Sequence, residues 1–295
     1  MTRSWVAAIA AAMVVAAACK TAGFGPALPP LLAFDILRGN HRSIYRIRTD
    51  GSDSLQLTTD TSDNSQPTSA GSAIVFVSSR DGNAELYTMP ASGGAPTRLT
   101  FTAANEANPA LSPDGTKLAY TRDDGGLPRL WISDADGSNA ARATDSLDFG
   151  GAVDASPTWA PGSDRIAFVS TTSGSARLYQ LTLATMTIVA LQPDTAAQVE
   201  PSWSPDGSRL AFVSGANRGA RVAVLDLHAH AFTFITPASG QNGQPAWMPD
   251  GTVVFLQEGG TPALVLIDPS APVVSHLIDV GAGTPGHPSA IKPPQ

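Results

Sequence analysis

One stretch of the chain dictates what the rest can become. Pro201-Ser202-Trp203-Ser204-Pro205-Asp206-Gly207-Ser208-Arg209-Leu210-Ala211-Phe212-Val213-Ser214 reads as a short strand, a tight turn and a second strand. Pro205 presets φ for a turn, Asp206 can accept a hydrogen bond from its own backbone, and Gly207 takes a positive φ at no steric cost. Past the turn, Leu210, Phe212 and Ser214 alternate with Ala211 and Val213, the period of two expected of a strand. The unit then recurs. Pro157-Thr158-Trp159-Ala160-Pro161-Gly162 leads into Ile166-Ala167-Phe168-Val169-Ser170, and Pro245-Ala246-Trp247-Met248-Pro249-Asp250-Gly251 into Val253-Val254-Phe255. Pro109-Ala110-Leu111-Ser112-Pro113-Asp114-Gly115 leads into Leu118-Ala119-Tyr120, and a worn copy, Pro67-Thr68-Ser69-Ala70-Gly71, into Ile74-Val75-Phe76-Val77-Ser78. The anchoring prolines 67, 109, 157, 201 and 245 stand 42, 48, 44 and 44 residues apart. Each copy continues with another alternating strand, such as Leu86-Tyr87-Thr88-Met89 or Leu178-Tyr179-Gln180-Leu181, and a short last one, such as Arg98-Leu99-Thr100. Four short strands at a period in the forties specify a β-propeller blade.

The motif Pro-x-Trp-Ser-Pro-Asp-Gly, then Leu/Ile-Ala-Phe-Val-Ser, Leu-Tyr, Gly93-Gly94 and Arg-Leu-Thr resembles the WD40-like (PD40) repeat of the TolB β-propeller family. The resemblance covers roughly residues 34 to 292 and implies a propeller of the TolB kind. Its departures are local. The second blade lacks the Trp and the Pro-Asp, the fourth has Pro161-Gly162-Ser163-Asp164 at the turn, and the sixth lacks the alanine of the Ala-Phe pair. The α/β domain that precedes the propeller in TolB has no counterpart in the sequence before the first blade, so that domain's partner contacts are not implied.

The first blade is incomplete at its front. Leu32 to Leu37, Ser43 to Arg48 and Leu55 to Thr58 read as its later strands, with no Pro-x-Trp strand before them. At the far end, Gly286-His287-Pro288-Ser289-Ala290-Ile291 sits 43 residues past Pro245 with no blade following. The expectation is an all-β, six-bladed propeller of four-stranded antiparallel blades over residues 34–292, closed by the C-terminal strand completing blade 1.

Residues 1–18 read as a signal peptide: Arg3 supplies the positive end, and Trp5 to Ala18 is an apolar run too short to span a bilayer. The run ends in Val15-Ala16-Ala17-Ala18-Cys19, which resembles a bacterial lipoprotein signal with Cys19 as the lipidated N-terminus. Secretion after an Ala-x-Ala site is the plainer alternative. Residues 19–33, rich in Gly and Pro, read as the lipidated Cys19 and a flexible tether. A single cysteine excludes an internal disulfide framework. A formal net charge of −7 argues against nucleic acid as a partner. The 27 glycines and 24 prolines suit a chain that turns every few residues. The protein is thus expected in the cell envelope, facing the periplasm or surface, or else secreted to the periplasm. It would be a monomer held to a membrane through Cys19.

Catalytic motifs are missing: the sequence has no Gly-x-Ser-x-Gly, His-Glu-x-x-His or phosphate-binding loop, and no cofactor is expected. His228-Ala229-His230 and Asp134-Ala135-Asp136-Gly137-Ser138-Asn139 read as turns, not as metal or calcium sites. What remains is positional. The residues before the inner-strand prolines, Gln66, Asn108, Ser156, Glu200, Gln244 and His287, should ring one mouth of the central channel. Turns on the same face contain Arg38, Arg80, Arg122 and Arg218. Read functionally, Arg80 and Arg122 rim a funnel for a carboxylate-bearing ligand or an acidic peptide. Read structurally, polar residues solvate a mouth and the arginines make local ion pairs. The function expected is a non-catalytic binding or scaffolding module. The alternative is a propeller enzyme of the lyase or hydrolase type with its site in the funnel, where Glu200 and His287 would be the first suspects.

Overall fold

The structure, a computed structural model, describes residues 28–291 except 124, 145–150, 192–195, 216–218, 239–240, 259–260 and 273–274. The expected signal, Cys19 and Arg218 lie outside the described residues, as does the tether up to residue 27.

Six four-stranded antiparallel sheets follow one another around the ring. Blade 2 holds β4 (Asn64–Ala70), β5 (Ala73–Ser78), β6 (Glu85–Pro90) and β7 (Thr97–Arg98), numbered in chain order as the later blades are. Blade 3 holds β8 (Glu106–Leu111), β9 (Lys117–Asp123), β10 (Pro128–Asp134) and β11 (Ala141–Arg142). Blade 4 holds β12 (Asp154–Trp159), β13 (Arg165–Ser170), β14 (Arg177–Thr182) and β15 (Thr187–Leu191). Blade 5 holds β16 (Gln198–Trp203), β17 (Arg209–Ser214), β18 (Arg221–Asp226) and β19 (Ala231–Phe234). Blade 6 holds β20 (Asn242–Trp247), β21 (Val253–Gln257), β22 (Ala263–Ile267) and β23 (Ser275–Ile278). Blade 1 is composite: β1 (Leu31–Arg38), β2 (His41–Arg48) and β3 (Leu55–Gln56) are joined by β24 (Thr284–Ile291), in the order β24-β1-β2-β3. The ring closes as the repeat arithmetic requires. β1 begins at Leu31, so residues 31–33, read from sequence as the end of the tether, are strand paired to β2 and β24.

The turn chemistry of the repeat is realised. In Ser204-Pro205-Asp206-Gly207-Ser208, Asp206 Oδ1 accepts from Ser204 Oγ at 2.6 Å and from the Ser208 N–H at 3.0 Å. Those bonds, the Ser204 one foremost, pull its pKa down to about 2. The sequences 226–230 and 134–139 are surface turns, with Asp226 accepting from the His228 and Ala229 N–H groups and Asp136 from Ser138.

No single core occupies the middle of the molecule. Apolar residues form six clusters, one in each seam between neighbouring blades. Strand alternation makes this possible: Phe76 of β5 points into the seam with blade 1, while Val75 and Val77 point into the seam with blade 3. Trp159, Trp203 and Trp247 end their inner strands, and each plugs the seam with the preceding blade. The seam between blades 6 and 1 unites the two ends of the chain, with Phe34, Ile36 and Ala290 against Val254 and Leu256.

Candidate functional site

Every inner strand is broken at the same place. The pairing register slips between Ser65 and Thr68, Ala107 and Ala110, Ala155 and Thr158, Val199 and Ser202, and Gly243 and Ala246. The slip at β1–β24 falls opposite His287 and Pro288. Two residues, X and Pro, thus oppose one on the partner strand, a β-bulge. Proline offers no N–H to a ladder, so it is accommodated here, on an inner edge strand and within a bulge. The X residue adopts left-handed φ: 53° at Gln66, 50° at Asn108, 49° at Ser156, 55° at Glu200, 53° at Gln244 and 44° at His287.

This conformation turns the X side chains along the ring. Asn108 N donates to Gln66 Oε1 at 2.7 Å, and Ser156 N to Asn108 Oδ1 at 3.5 Å. Gln244 N donates to Glu200 Oε2 and His287 N to Gln244 Oε1, each at 2.5 Å. Each bond crosses a seam. Strained backbone at six places is offset by a chain of inter-blade hydrogen bonds. Among the described residues no such bond makes the step from Ser156 to Glu200, where the side chain on offer is a short serine hydroxyl.

Blade 1 makes its step differently, through a residue that the repeat pattern did not bring forward. Asp35 on β1 stands where other blades have Val77, Thr121, Val169, Val213 and Leu256. Its side chain is fully buried and accepts from Gln66 N at 3.0 Å and from Arg42 Nη1, with His287 Nδ1 at 2.6 Å. Burial works to raise its pKa, but the His287 contact, Arg42 and the Gln66 N–H outweigh it and hold the carboxyl below its usual value. The signal was present as an acid inside the apolar run Leu31 to Leu37.

The six X residues and their prolines together line a cavity of about 170 Å³ at the mouth. The same prolines, 67, 109, 157, 201, 245 and 288, also line a second cavity of about 200 Å³ with Thr68, Thr158, Ser202, Ser289 and the three tryptophans. The channel is therefore waisted by a proline ring. Among the described residues, no arginine lines either cavity. Arg80 pairs with Asp60 at 3.2 Å, donates to Asn64 and lies 4.6 Å from the Tyr87 ring centroid. Arg122 lies over Trp131, and Arg38 bonds Ala282 O and the Tyr45 hydroxyl. These side chains are bound into the blades, so the expected arginine rim of Arg80 and Arg122 is not part of the cavity wall. Among the described residues Glu200 is the carboxylate that lines the mouth, and its pKa is raised, mainly by burial. The amide nitrogens of Gln66, Asn108 and Gln244 make no hydrogen bond among the described residues, which leaves them available as donors on residues that line the mouth. The described residues gather no group of three His, Cys, Asp or Glu side chains that could hold a metal.

Two overlapping matches to the family model described as the TolB β-propeller domain, PD40, cover residues 5–181 and 127–277. The chain belongs to the TolB β-propeller domain family. A TolB homologue from Chlorobaculum tepidum is 36% identical over 109 residues, which span 37% of this chain and 24% of that relative. The crystal structure of TolB from Acinetobacter baumannii superposes with a TM-score of 0.77 at 19% identity, covering 88% of this chain and 66% of that one. A puromycin-hydrolysing peptidase from Mycobacterium tuberculosis shares the fold at a TM-score of 0.60 and 17% identity, covering 83% of this chain and 45% of its own. The match thus spans about a quarter of the curated TolB relative, and the likeness to the solved structures is one of fold.

Proposed function

We propose that this TolB-family propeller is a non-catalytic binding or scaffolding module of the bacterial cell envelope, and that its channel mouth takes the end of a partner polypeptide. The observation that carries this reading is the mouth cavity, whose wall is built from the same two backbone positions of all six blades. A site made of bulged, hydrogen-bonded backbone is preorganised, so little order must be imposed when a ligand enters. The amide nitrogens of Gln66, Asn108 and Gln244 are suited to carbonyl or carboxylate oxygens, and Glu200 to an amine, as in a zwitterionic peptide terminus. Ser156 and His287 complete the contact ring, while Arg80 and Arg122 support the blades behind it. Family membership supports a binding role, and the apolar run before Cys19 supports export with lipid attached at that residue.

The test is capture of envelope proteins by the intact protein and by Glu200→Gln. The substitution keeps the oxygen that accepts from Gln244 N and removes the charge. Loss of a captured protein with unchanged melting supports the mouth as the contact. Equal capture by both proteins places binding elsewhere. Mass spectrometry of membrane-extracted protein checks the anchor: the N-terminus should begin at diacylglyceryl-modified Cys19, and an unmodified thiol in a soluble species refutes it.

A further inference from the structure

The seams are not chemically alike. In three blades the first residue of the inner strand donates its N–H to a carbonyl of the preceding blade: Glu106 to Ala84, Gln198 to Ala176 and Asn242 to Ala220. This brings the start of the inner strand beside the third strand of the preceding blade. By register, the residues at equivalent positions on the two strands are Ser43 and Asn64, Glu85 and Glu106, Arg129 and Asp154, Arg177 and Gln198, and Arg221 and Asn242. At three of these positions an arginine stands opposite Asp154, Gln198 or Asn242, whereas between blades 2 and 3 both positions hold acids.

Both acids are fully buried. Glu85 Oε1 is well served, by Arg98 Nη2 at 2.7 Å, Asn83 Nδ2 at 3.0 Å and Thr102 N at 3.2 Å. Glu106 Oε1 accepts from Thr102 Oγ1 at 2.7 Å. The other oxygens, Glu85 Oε2 and Glu106 Oε2, are buried without a hydrogen-bond partner, and Thr102 holds the two carboxyl groups side by side, its N–H bonded to Glu85 and its hydroxyl to Glu106. The surrounding charges are few. Strands β4 and β5 present none. Arg98 of β7 is shared between Glu85 and Asp81, and Asp81 also accepts from the Tyr87 hydroxyl. Arg122 of β9 is the cross-strand neighbour of Glu106, with its guanidinium over Trp131. Asp154 of β12 is turned toward the Thr144 hydroxyl and Leu130 N.

Two buried carboxylates held by one threonine cannot both ionise cheaply away from water. We infer that Glu106 keeps its proton at neutral pH, so that the buried pair carries a single charge, and that losing the proton loosens the seam beneath the mouth. Burial and the Glu85 carboxyl, against the Thr102 bond, push the Glu106 pKa up to about 7. On deprotonation the proton passes to solvent and two charges face each other across the seam. Two residues farther along β8, the Asn108-to-Gln66 bond crosses the same seam, so the loosening reaches the ring. The direction follows from linkage. The folded protein holds a proton that the unfolded chain has already released, so stability falls as pH rises from the ordinary glutamate range through about 7.

The test is denaturant unfolding of the full chain and of Glu106→Gln, which keeps a neutral hydrogen-bonding group in place. Between about pH 5.5 and 8.5 the unfolding constant of the wild type should rise relative to the variant by roughly thirtyfold. Parallel pH dependence in the two proteins overturns the inference. So does a rise in wild-type melting temperature on adding calcium chloride at the higher pH that the variant lacks, because the two oxygens would then hold a cation. Should the variant fail to fold, the wild type still decides: the infrared carbonyl band of a protonated carboxyl should be present at neutral pH and lost at about pH 9. Its absence at neutral pH overturns the inference.

Discussion

The Nδ1 atom of His287 lies 2.6 Å from Oδ2 of Asp35, joining residues 252 positions apart in the chain. The same carboxylate oxygen receives the N–H of Gln66 from blade 2. One buried acid therefore ties the C-terminal strand to the N-terminal strand and both to the next blade. Ring closure depends on backbone pairing between β24 and β1 and on this contact together.

Replacing Asp35 with alanine removes the buried acceptor common to Arg42, His287 and Gln66. The expected loss is roughly 3 kcal/mol of unfolding free energy, measured by urea titration at neutral pH. The pH dependence has a definite sign. The folded pKa is lowered, so the stabilisation is present above the ordinary aspartate value of about 3.9 and disappears as pH falls through the folded value. The difference between wild type and variant should shrink in acid.

Ser156→Gln should stabilise. Glutamine already occupies this left-handed position at 66 and 244, so the backbone strain is unchanged. Its longer side chain can accept from Glu200 N and supply the missing step of the ring. The gain expected is about 1 kcal/mol. No change in stability would show that the blade 4–5 seam is already satisfied there.

Two glycines at matching turns separate conformation from space. Gly51 and Gly137 have φ of 86° and 85°, but a Cβ at Gly51 meets nothing within 4 Å, whereas at Gly137 it overlaps the Leu99 carbonyl oxygen. Gly51→Ala should cost about 1 kcal/mol through backbone strain alone. Gly137→Ala must also displace backbone of the neighbouring blade and should cost several times that. Equal melting temperatures for the two variants would contradict this.

Arg80→Ala should weaken the fold and spare the mouth. The guanidinium sits 4.6 Å from the Tyr87 centroid and 5.9 Å from that of Phe76, and it pairs with Asp60. A loss of roughly 1–2 kcal/mol is expected from the stacking and the partly exposed ion pair. Capture of a mouth-binding partner should be unchanged at temperatures where the variant is folded. Reduced capture by the folded variant would return Arg80 to the binding surface.

The sequence by itself determined the architecture. Strand alternation and turn chemistry are local, and the spacing of Pro67, Pro109, Pro157, Pro201 and Pro245 repeats them until blade count and closure by residues 284–291 follow from arithmetic. It also picked out Gln66, Asn108, Ser156, Glu200, Gln244 and His287 as a ring, because residues at equal repeat positions must lie at equal depth. Where their side chains point was not legible. The left-handed bulge that lets Gln66, Asn108, Glu200 and Gln244 reach the next blade lies on a strand paired on one side, and the hydrogen bonds join residues more than 40 positions apart. The arginines show the same limit: nothing local distinguishes an Arg80 facing the channel from one stacked on Tyr87. Asp35 and the Glu85–Glu106 pair were decided by tertiary structure alone. A charge within an apolar strand can be seen in the sequence, but which groups meet it depends on which blade is packed against it, and the low-dielectric seam they share then fixes how they ionise.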